Sequence, residues 1–485
     1  MKTYFRYAIV VIILIIIGFI TTNYFVSKKI KSLLAEESAL TYSNLSVNAF
    51  AGSMSLSDVS FDEDTKQIKI EDINLNVDII HYLINKEVIV QSIDASGFDI
   101  KLVIVKGRKK EKKKESKIDI VSINSVNLKE ARVRIDEEDQ TILKVSRLDL
   151  SAEDISWPLD EEFKWLENES IKVKAQSISY NLDKLHDLRS EQFVFEENSL
   201  TLKGFYLKPK FTKTNYVDQI QKQTDLMDLS AKTLKVSGFG LKKKDSLFNI
   251  LVQKIEIDST RFNIYRDKTI KPDNSIKPLY SEALRNLKFQ LAIDSFIITE
   301  MNLTYEELLD KEREPGQLKF NAIRGQITNF HNGLKVENPD IEAKLRAKFS
   351  KDSEIYFNLS FVPDHETFYL STLLQEVEDK SVNNFFAPAM RMELDGKINK
   401  IETSFSGNDT HMNGDFKIAY KKLKLNVLKK DGGKNNFASL LSNVFIRNRD
   451  VDDSYKLKEV ERDQTKSFWN YVWTFHLEGL KKALL

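Results

Sequence analysis

The chain has 485 residues, 73 Lys and Arg against 72 Asp and Glu, a net charge of +1, and no cysteine. That balance gives no global case for a nucleic-acid partner, and the missing thiols exclude disulfides and cysteine metal ligands. Eight prolines and 16 glycines are far from a disordered or collagen-like composition.

The first element is Ala8 to Val26, AIVVIILIIIGFITTNYFV, 19 residues without a charge. At about 1.5 Å per helical residue it spans roughly 28 Å, close to the roughly 30 Å hydrocarbon core. It reads as a single-pass membrane anchor. A cleaved signal peptide is the competing reading. Against it, the run is long for a signal, and Asn23, Tyr24 and Phe25 stand where a small-residue site is needed. Lys2 and Arg6 precede the run while Lys28, Lys29 and Lys31 follow it. Counted strictly, that asymmetry turns the body toward the cytoplasm, although the rule weakens when a long domain follows. The chain beyond the run is too long for one ordinary core, so an elongated body or two to three domains is expected.

After Lys28 the dominant signal is period-2 alternation. Gln67 to Val77 (QIKIEDINLNV), Lys172 to Leu182, Lys254 to Tyr265 and Glu354 to Val362 (EIYFNLSFV) set apolar side chains on one face and polar ones on the other. The fold class is therefore mainly β. Few helices are expected: Asp78 to Lys86 with Asp78 as N-cap, Val217 to Leu229 with a Val217, Ile220, Thr224, Met227 stripe, Tyr305 to Lys311, and a C-terminal helix.

Apolar residues recur at offsets 0, 5 and 7. The copies are Ile93, Phe98, Ile100; Leu128, Val133, Ile135; Val173, Ile178, Tyr180; Ile257, Phe262, Ile264; and Ile298, Leu303, Tyr305. An odd step of five cannot hold one face in an unbroken strand, so each copy implies a turn or bulge. Meandering hairpins laid side by side along one long sheet fit that pattern.

The basic run Arg108 to Lys117, RKKEKKKESK, is the sharpest charge feature. Lys109, Lys110, Lys112, Lys113 and Lys114 could meet anionic lipid headgroups, and a polar hairpin loop is the plainer alternative. No aromatic residues interleave with them, which argues against nucleic acid. The C-terminal stretch Lys466 to Leu485 carries Trp469, Trp473, His476, Leu480 and Leu484 on one helical stripe. Trp469 and Trp473 suit a membrane interface, whereas a helix covering one end of the sheet is the favoured alternative.

Catalysis finds little support. His81, His186, His331, His365, His411 and His476 lie far apart without metal-ligand spacing. Gly238 and Gly240 lack the third glycine of a dinucleotide fingerprint, and Asp136 to Asp139 (DEED) lacks the EF-hand pattern, reading as a solvated loop.

Ile68 to Val103, with its strand, short helix layered by Ile79, Ile80, Leu83 and Ile84, and two further strands, resembles the start of bacterial AsmA-like proteins. Met392 to Leu425, with Gly396, Phe405, Gly407, Gly414 and Tyr420, resembles that family's C-terminal module. The resemblance implies an anchor helix over residues 1–27, an AsmA-like module over 28–150, a central β-rich repeat region over 151–390 and a C-terminal module over 391–485. It further implies a bacterial inner-membrane protein, with its large domain in the periplasm, whose elongated, curved antiparallel sheet forms a trough. Phospholipid transfer between membranes or support of outer-membrane assembly would be its work, without a cofactor. Other envelope proteins are further candidate partners. On that reading Ile93, Phe98, Ile100, Val133, Ile135, Ile257, Phe262, Ile264 and Leu303 line a lipid groove. The competing expectation is a membrane-tethered scaffold in which those faces pack as a closed core.

Overall fold

Alternating apolar and polar residues become strands wherever both ladder edges find a partner, and here they do so almost throughout. The computed structural model describes residues 20–32, 34–35, 39–85, 87–105, 121–157, 159, 163–167, 169–244, 247–333, 339–428 and 450–484. Among them 22 strands belong to one mixed sheet. The chain divides into two compact units, Met1–Asn181 with Arg189–Thr201, and Leu182–Leu188 with Leu202–Leu485.

The first unit opens with a helix over residues 20–32. Its strands are β1 (Leu40–Thr41), β2 (Asn44–Asn48), β3 (Ser53–Glu63) and β4 (Lys66–Val77), then helix α1 (Ile79–Asn85), β5 (Ile89–Ser96), β6 (Asp99–Ile104), β7 (Val121–Glu137), β8 (Gln140–Trp157) and β9 (Lys172–Asn181). β3 pairs antiparallel with β1, β2 and β4, and β4 with both β5 and β6. β5 and β6 each run parallel to β7, after which β7, β8 and β9 continue antiparallel.

β10 (His186–Glu196) and β11 (Ser199–Pro209) are divided between the units. The second unit continues with β12 (Leu226–Ser237), β13 (Gly240–Lys244), β14 (Leu247–Asp267), α2 (Tyr280–Arg285), β15 (Gln290–Leu308), β16 (Gly316–His331), β17 (Ile341–Lys348), β18 (Glu354–Phe361) and β19 (Phe368–Glu378). It closes with α3 (Asp379–Met390), β20 (Met392–Gly407), β21 (His411–Val427), β22 (Val451–Glu461) and α4 (Phe468–Leu484). β14 and β15 are parallel, and β15 to β22 form successive antiparallel pairs.

The sheet is thus mixed, and the antiparallel sheet that the resemblance implies is corrected by the parallel pairs β5–β7, β6–β7 and β14–β15. Parallel neighbours need a crossover of a dozen or more residues. The connection from Asp267 to Gln290, which holds α2, supplies one.

Two expected helices are corrected. Val217 to Leu229 holds only a 3-10 turn, Tyr216–Gln219, before β12 begins at Leu226. Val217 and Ile220 pack beside Tyr216, Leu226 and Tyr265, so the helical-looking stripe is a loop's contact with the strands. Tyr305 to Lys311 is largely strand, because Thr304 to Leu308 pair in parallel with Asn263 to Asp267. Long-range ladders override weak local propensity.

The offset repeat marks β-irregularities. Residues with positive φ sit within four copies: Gly97 (70°), Glu130 (59°), Ser177 (51°) and Ser259 (49°). In the fifth, the β15–β16 register shifts between Ile298 and Met301. At three bulges an Asp or Asn on the neighbouring strand accepts the displaced N–H: Asp149 from Glu130 at 2.8 Å, Asn302 from Ala322 at 3.0 Å and Asn413 from Glu459 at 2.9 Å. We expect Asp149→Ala to cost about 1 kcal/mol by removing that acceptor, measured by chemical denaturation.

A large buried core lies under α4. Phe475 stacks on Phe405 with ring centroids 4.1 Å apart, and Phe468 and Tyr471 meet Phe368 edge-on. His476 sits in the same layer. Its Nδ1 is 2.9 Å from the Val472 carbonyl, so that nitrogen carries the proton, and Nε2 accepts from the Thr372 hydroxyl at 3.3 Å. Desolvation holds His476 below the usual imidazole range. The unfolded chain therefore binds the proton more readily, and stability falls as pH drops below about 6.5, by at most about 1.4 kcal/mol per unit. The slope should flatten in His476→Phe, read by unfolding at several pH values.

Candidate functional site

Residues directly opposite one another in a ladder share a face, and the register of the first unit assembles rows that single strands do not reveal. Phe61, Ile68, Ile100, Val133, Val145 and Ile178 stand in one row across β3, β4, β6, β7, β8 and β9. At the ordinary spacing of strands that row runs about 24 Å along the sheet. Beside it run Leu102, Ile135, Leu143, Tyr180 and, on the other side, Leu56, Ile73, Ala95, Leu128, Leu150, Val173. Most of these side chains are only half-buried, and Tyr180 is 40% exposed. The opposite face is polar in the same register, with Ser55, Asn74, Asp94, Asn127 and Ser151 in line and Asn127 donating to Asp94 at 3.0 Å.

In the second unit two comparable rows cross β12, β14, β15 and β16. They are Leu229, Phe262, Leu303, Phe320 and Met227, Ile264, Tyr305, Leu318, all half-buried. The C-terminal strands build the same kind of row, Ala343, Leu359, Leu370, Phe405, but there α4 lies in the same core and exposure falls to 7%, 7%, 0% and 1%. There the row is closed by a helix.

The residues singled out from the sequence fall as follows. Ile93, Ile100, Val133 and Ile135 are half-buried on the apolar face of the first unit. Phe98 is buried with Ala95 and Ala131, beside Ile70 and Ile100. In the second unit Phe262, Ile264 and Leu303 belong to the half-buried rows, while Ile257 is buried against Ala231, Ile298 and Ile323. Lys109, Lys110, Lys112, Lys113 and Lys114 lie outside the described residues. Trp469 is 53% exposed beside Phe357, and Trp473 packs edge-on against Phe386. The inward side of α4 is instead Phe468, Tyr471, Val472 and Phe475, so this helix covers the sheet.

Residues 20–32, which carry the last part of the apolar run, are helical; residues 8–19 lie outside the described residues. Among the described residues no helix is long and apolar enough to cross a membrane.

Several buried or half-buried polar groups are paired within the fold. Asp136, expected in a solvated loop, is buried because Arg134 and Thr141 reach it at 2.8 Å, and their hydrogen bonds hold its carboxyl below the usual range. Glu306 meets Lys213 and Gln317, and Glu307 meets Lys268 at 2.7 Å and the Tyr305 hydroxyl at 2.6 Å. Arg266 holds Asp225 through two contacts of 2.6 Å. Burial pushes Tyr216 up to about 12, and its hydroxyl oxygen accepts the Asp267 N–H at 2.9 Å. A cleft of about 380 Å³ near the β20–β21 turn is lined by Ser360, Tyr369, Asn408 and His411, and Asn408 is engaged with the turn's own N–H groups. Among the described residues no group of three or more His, Asp and Glu could hold a metal ion.

Sequence reading missed the rows themselves, since the pairing of Ile100 with Val133 is set by register across a long connection. It also missed the bulge-accepting Asp149, Asn302 and Asn413. Comparison with family models finds none that matches this chain, and comparison with curated proteins finds no match.

Proposed function

We propose that this chain is a membrane-anchored, non-enzymatic envelope protein that holds phospholipid acyl chains against the apolar face of its sheet. The observation that carries the reading is the set of in-register apolar rows on β3 to β9, most of whose side chains stay only half-buried. Water against such a face is costly, at about 25 cal/mol per Å² of apolar surface. An acyl chain laid along it gains about 0.8 kcal/mol per buried methylene. No headgroup contact is needed for that gain. The bulges bend and twist strands and favour a curved, trough-like face.

The resemblance of Ile68 to Val103 and Met392 to Leu425 to AsmA-like proteins supports the same reading. On this reading the anchor Ala8 to Val26 lies in a bacterial inner membrane and the body in the periplasm, handling lipid between membranes or supporting outer-membrane assembly. A second reading, an interaction scaffold with a closed core, draws on the helix-covered row Ala343, Leu359, Leu370, Phe405. It accounts for the C-terminal strands but leaves the half-buried rows of the first unit without a role.

The test is a lipid count. Full-length protein, purified in mild detergent and extracted with organic solvent, is expected to release phospholipid in stoichiometric amount by mass spectrometry. Protein that releases none supports the scaffold and sinks the lipid reading.

A further inference from the structure

Helix α1 breaks the rule that an amphipathic helix turns its apolar side inward. Ile80, Leu83 and Ile84, at the i, i+3, i+4 spacing of one helical face, are 72%, 61% and 73% exposed, and the helix buries no residue at all. The helix is nevertheless well formed. Asp78 accepts the His81 N–H at 2.9 Å, a bond that holds its carboxyl below the usual range, and Asn85 reaches His81 at 3.1 Å.

The neighbouring loop presents the same chemistry. Asn48 accepts the N–H groups of Phe50 and Ala51 at 3.2 and 3.0 Å, and Phe50 is left 48% exposed. Gly52 lies against the entry to α1: its carbonyl accepts the Val77 N–H at 2.8 Å, and a Cβ there would strike the Val77 carbonyl and Ile79. The loop therefore adjoins the start of the helix, and each carries exposed apolar side chains.

What covers these side chains follows from one contact. The Asn23 side chain accepts the Ala49 N–H at 2.6 Å. Asn23 lies one turn before the end of the uncharged run Ala8 to Val26, and the exposed Lys28, Lys29 and Lys31 come directly after that run. If the run spans a bilayer, the residue that holds the loop sits at the edge of the hydrocarbon and the lysines sit among headgroups. The loop is then at that depth, and α1 begins beside it, where Gly52 meets Val77 and Ile79.

We infer that Phe50 and the Ile80, Leu83, Ile84 face of α1 form a second membrane contact, inserted into the interface of a phospholipid bilayer beside the anchor. Side chains of this type lie shallowly at the boundary of headgroups and acyl chains. The contact presses one end of the first unit onto the bilayer. It rests on the anchor reading of Ala8 to Val26, and it does not depend on whether the sheet binds lipid.

The chain lacks cysteine, so single cysteines can be introduced and labelled with an environment-sensitive fluorophore. Full-length Ile84→Cys, Ile20→Cys and Asp139→Cys are reconstituted at low density in phosphatidylcholine and phosphatidylglycerol vesicles. The expected result is blue-shifted emission and loss of iodide quenching at positions 20 and 84, with position 139 fully quenched. Protection at 20 with free quenching at 84 overturns the contact while leaving the anchor in place. Free quenching at both overturns it through the anchor. Protection at 84 that disappears when protein is diluted tenfold in lipid assigns the face to a second copy of the chain and likewise overturns it. Because phospholipid bound to the sheet is counted separately, failure here and failure of the lipid reading are distinguishable.

Discussion

Phe475→Ala is expected to lower the stability of the second unit by about 3–5 kcal/mol, the usual cost of emptying a closed aromatic site. Phe475 is fully buried, its ring lies nearly parallel to that of Phe405 at 4.1 Å, and Phe405 in turn stands opposite the fully buried Leu370. Deleting the ring leaves a cavity between a helix and a sheet, two rigid surfaces that cannot both relax into it. Residue Gly479, one turn further along α4, makes the point sharper. A Cβ there would lie 2.3 Å from the Phe416 ring, so the helix already sits as close to the sheet as its backbone allows. Denaturant unfolding followed by tryptophan emission reads the change, since Trp469 and Trp473 lie on the same helix. A shift below about 1 kcal/mol would mean that α4 is not docked as described.

The contrast between this core and the open rows explains which parts of the molecule were legible in its sequence. Strands were visible because alternation is local: EIYFNLSFV shows its two faces without any knowledge of its neighbours. The step of five in Ile257, Phe262, Ile264 also pointed to an irregularity, and Ser259 supplies it with a φ of 49°. That the irregularity falls at serine or glutamate could not be read, because these residues are held in the left-handed region by the ladder and not by their own preference. Tyr305 was misread for a related reason. Its helical spacing is real, but the strand is fixed by parallel pairing with Ile264, which lies far away in sequence. Gly479 looks like a weak point in a helix, about 1 kcal/mol worse than alanine, until Phe416 is placed under it. The apolar face itself was the least legible feature. Each row is a product of successive registers, and the sequence shows only its members.

Those registers also decide where a functional variant should be made. Ile135 and Leu143 are direct partners on β7 and β8, both half-buried, in the row that ends at the exposed Tyr180. Exchanging Ile135 for aspartate in a closed core would bury an unpaired charge and cost several kcal/mol of folding stability. On an open face the carboxylate keeps water in the lipid-free protein, and the loss is confined to about 1 kcal/mol of apolar contact. With an acyl chain over the same position the charge is desolvated, a penalty of about 3 kcal/mol or more, which corresponds to roughly a hundredfold weaker binding. Ile135→Asp is therefore expected to retain its unfolding midpoint within a small margin while losing nearly all co-purifying phospholipid, and Leu143→Asp should behave alike. Phe475→Ala should do the reverse, losing stability and keeping lipid at temperatures where it remains folded. A variant at Ile135 that unfolds the protein would show the row to be closed, and one that stays folded with its phospholipid intact would show that the lipid lies elsewhere. Because the two sites differ in what covers them and not in the pattern of their residues, the opposite signs of the two results follow from the covering alone.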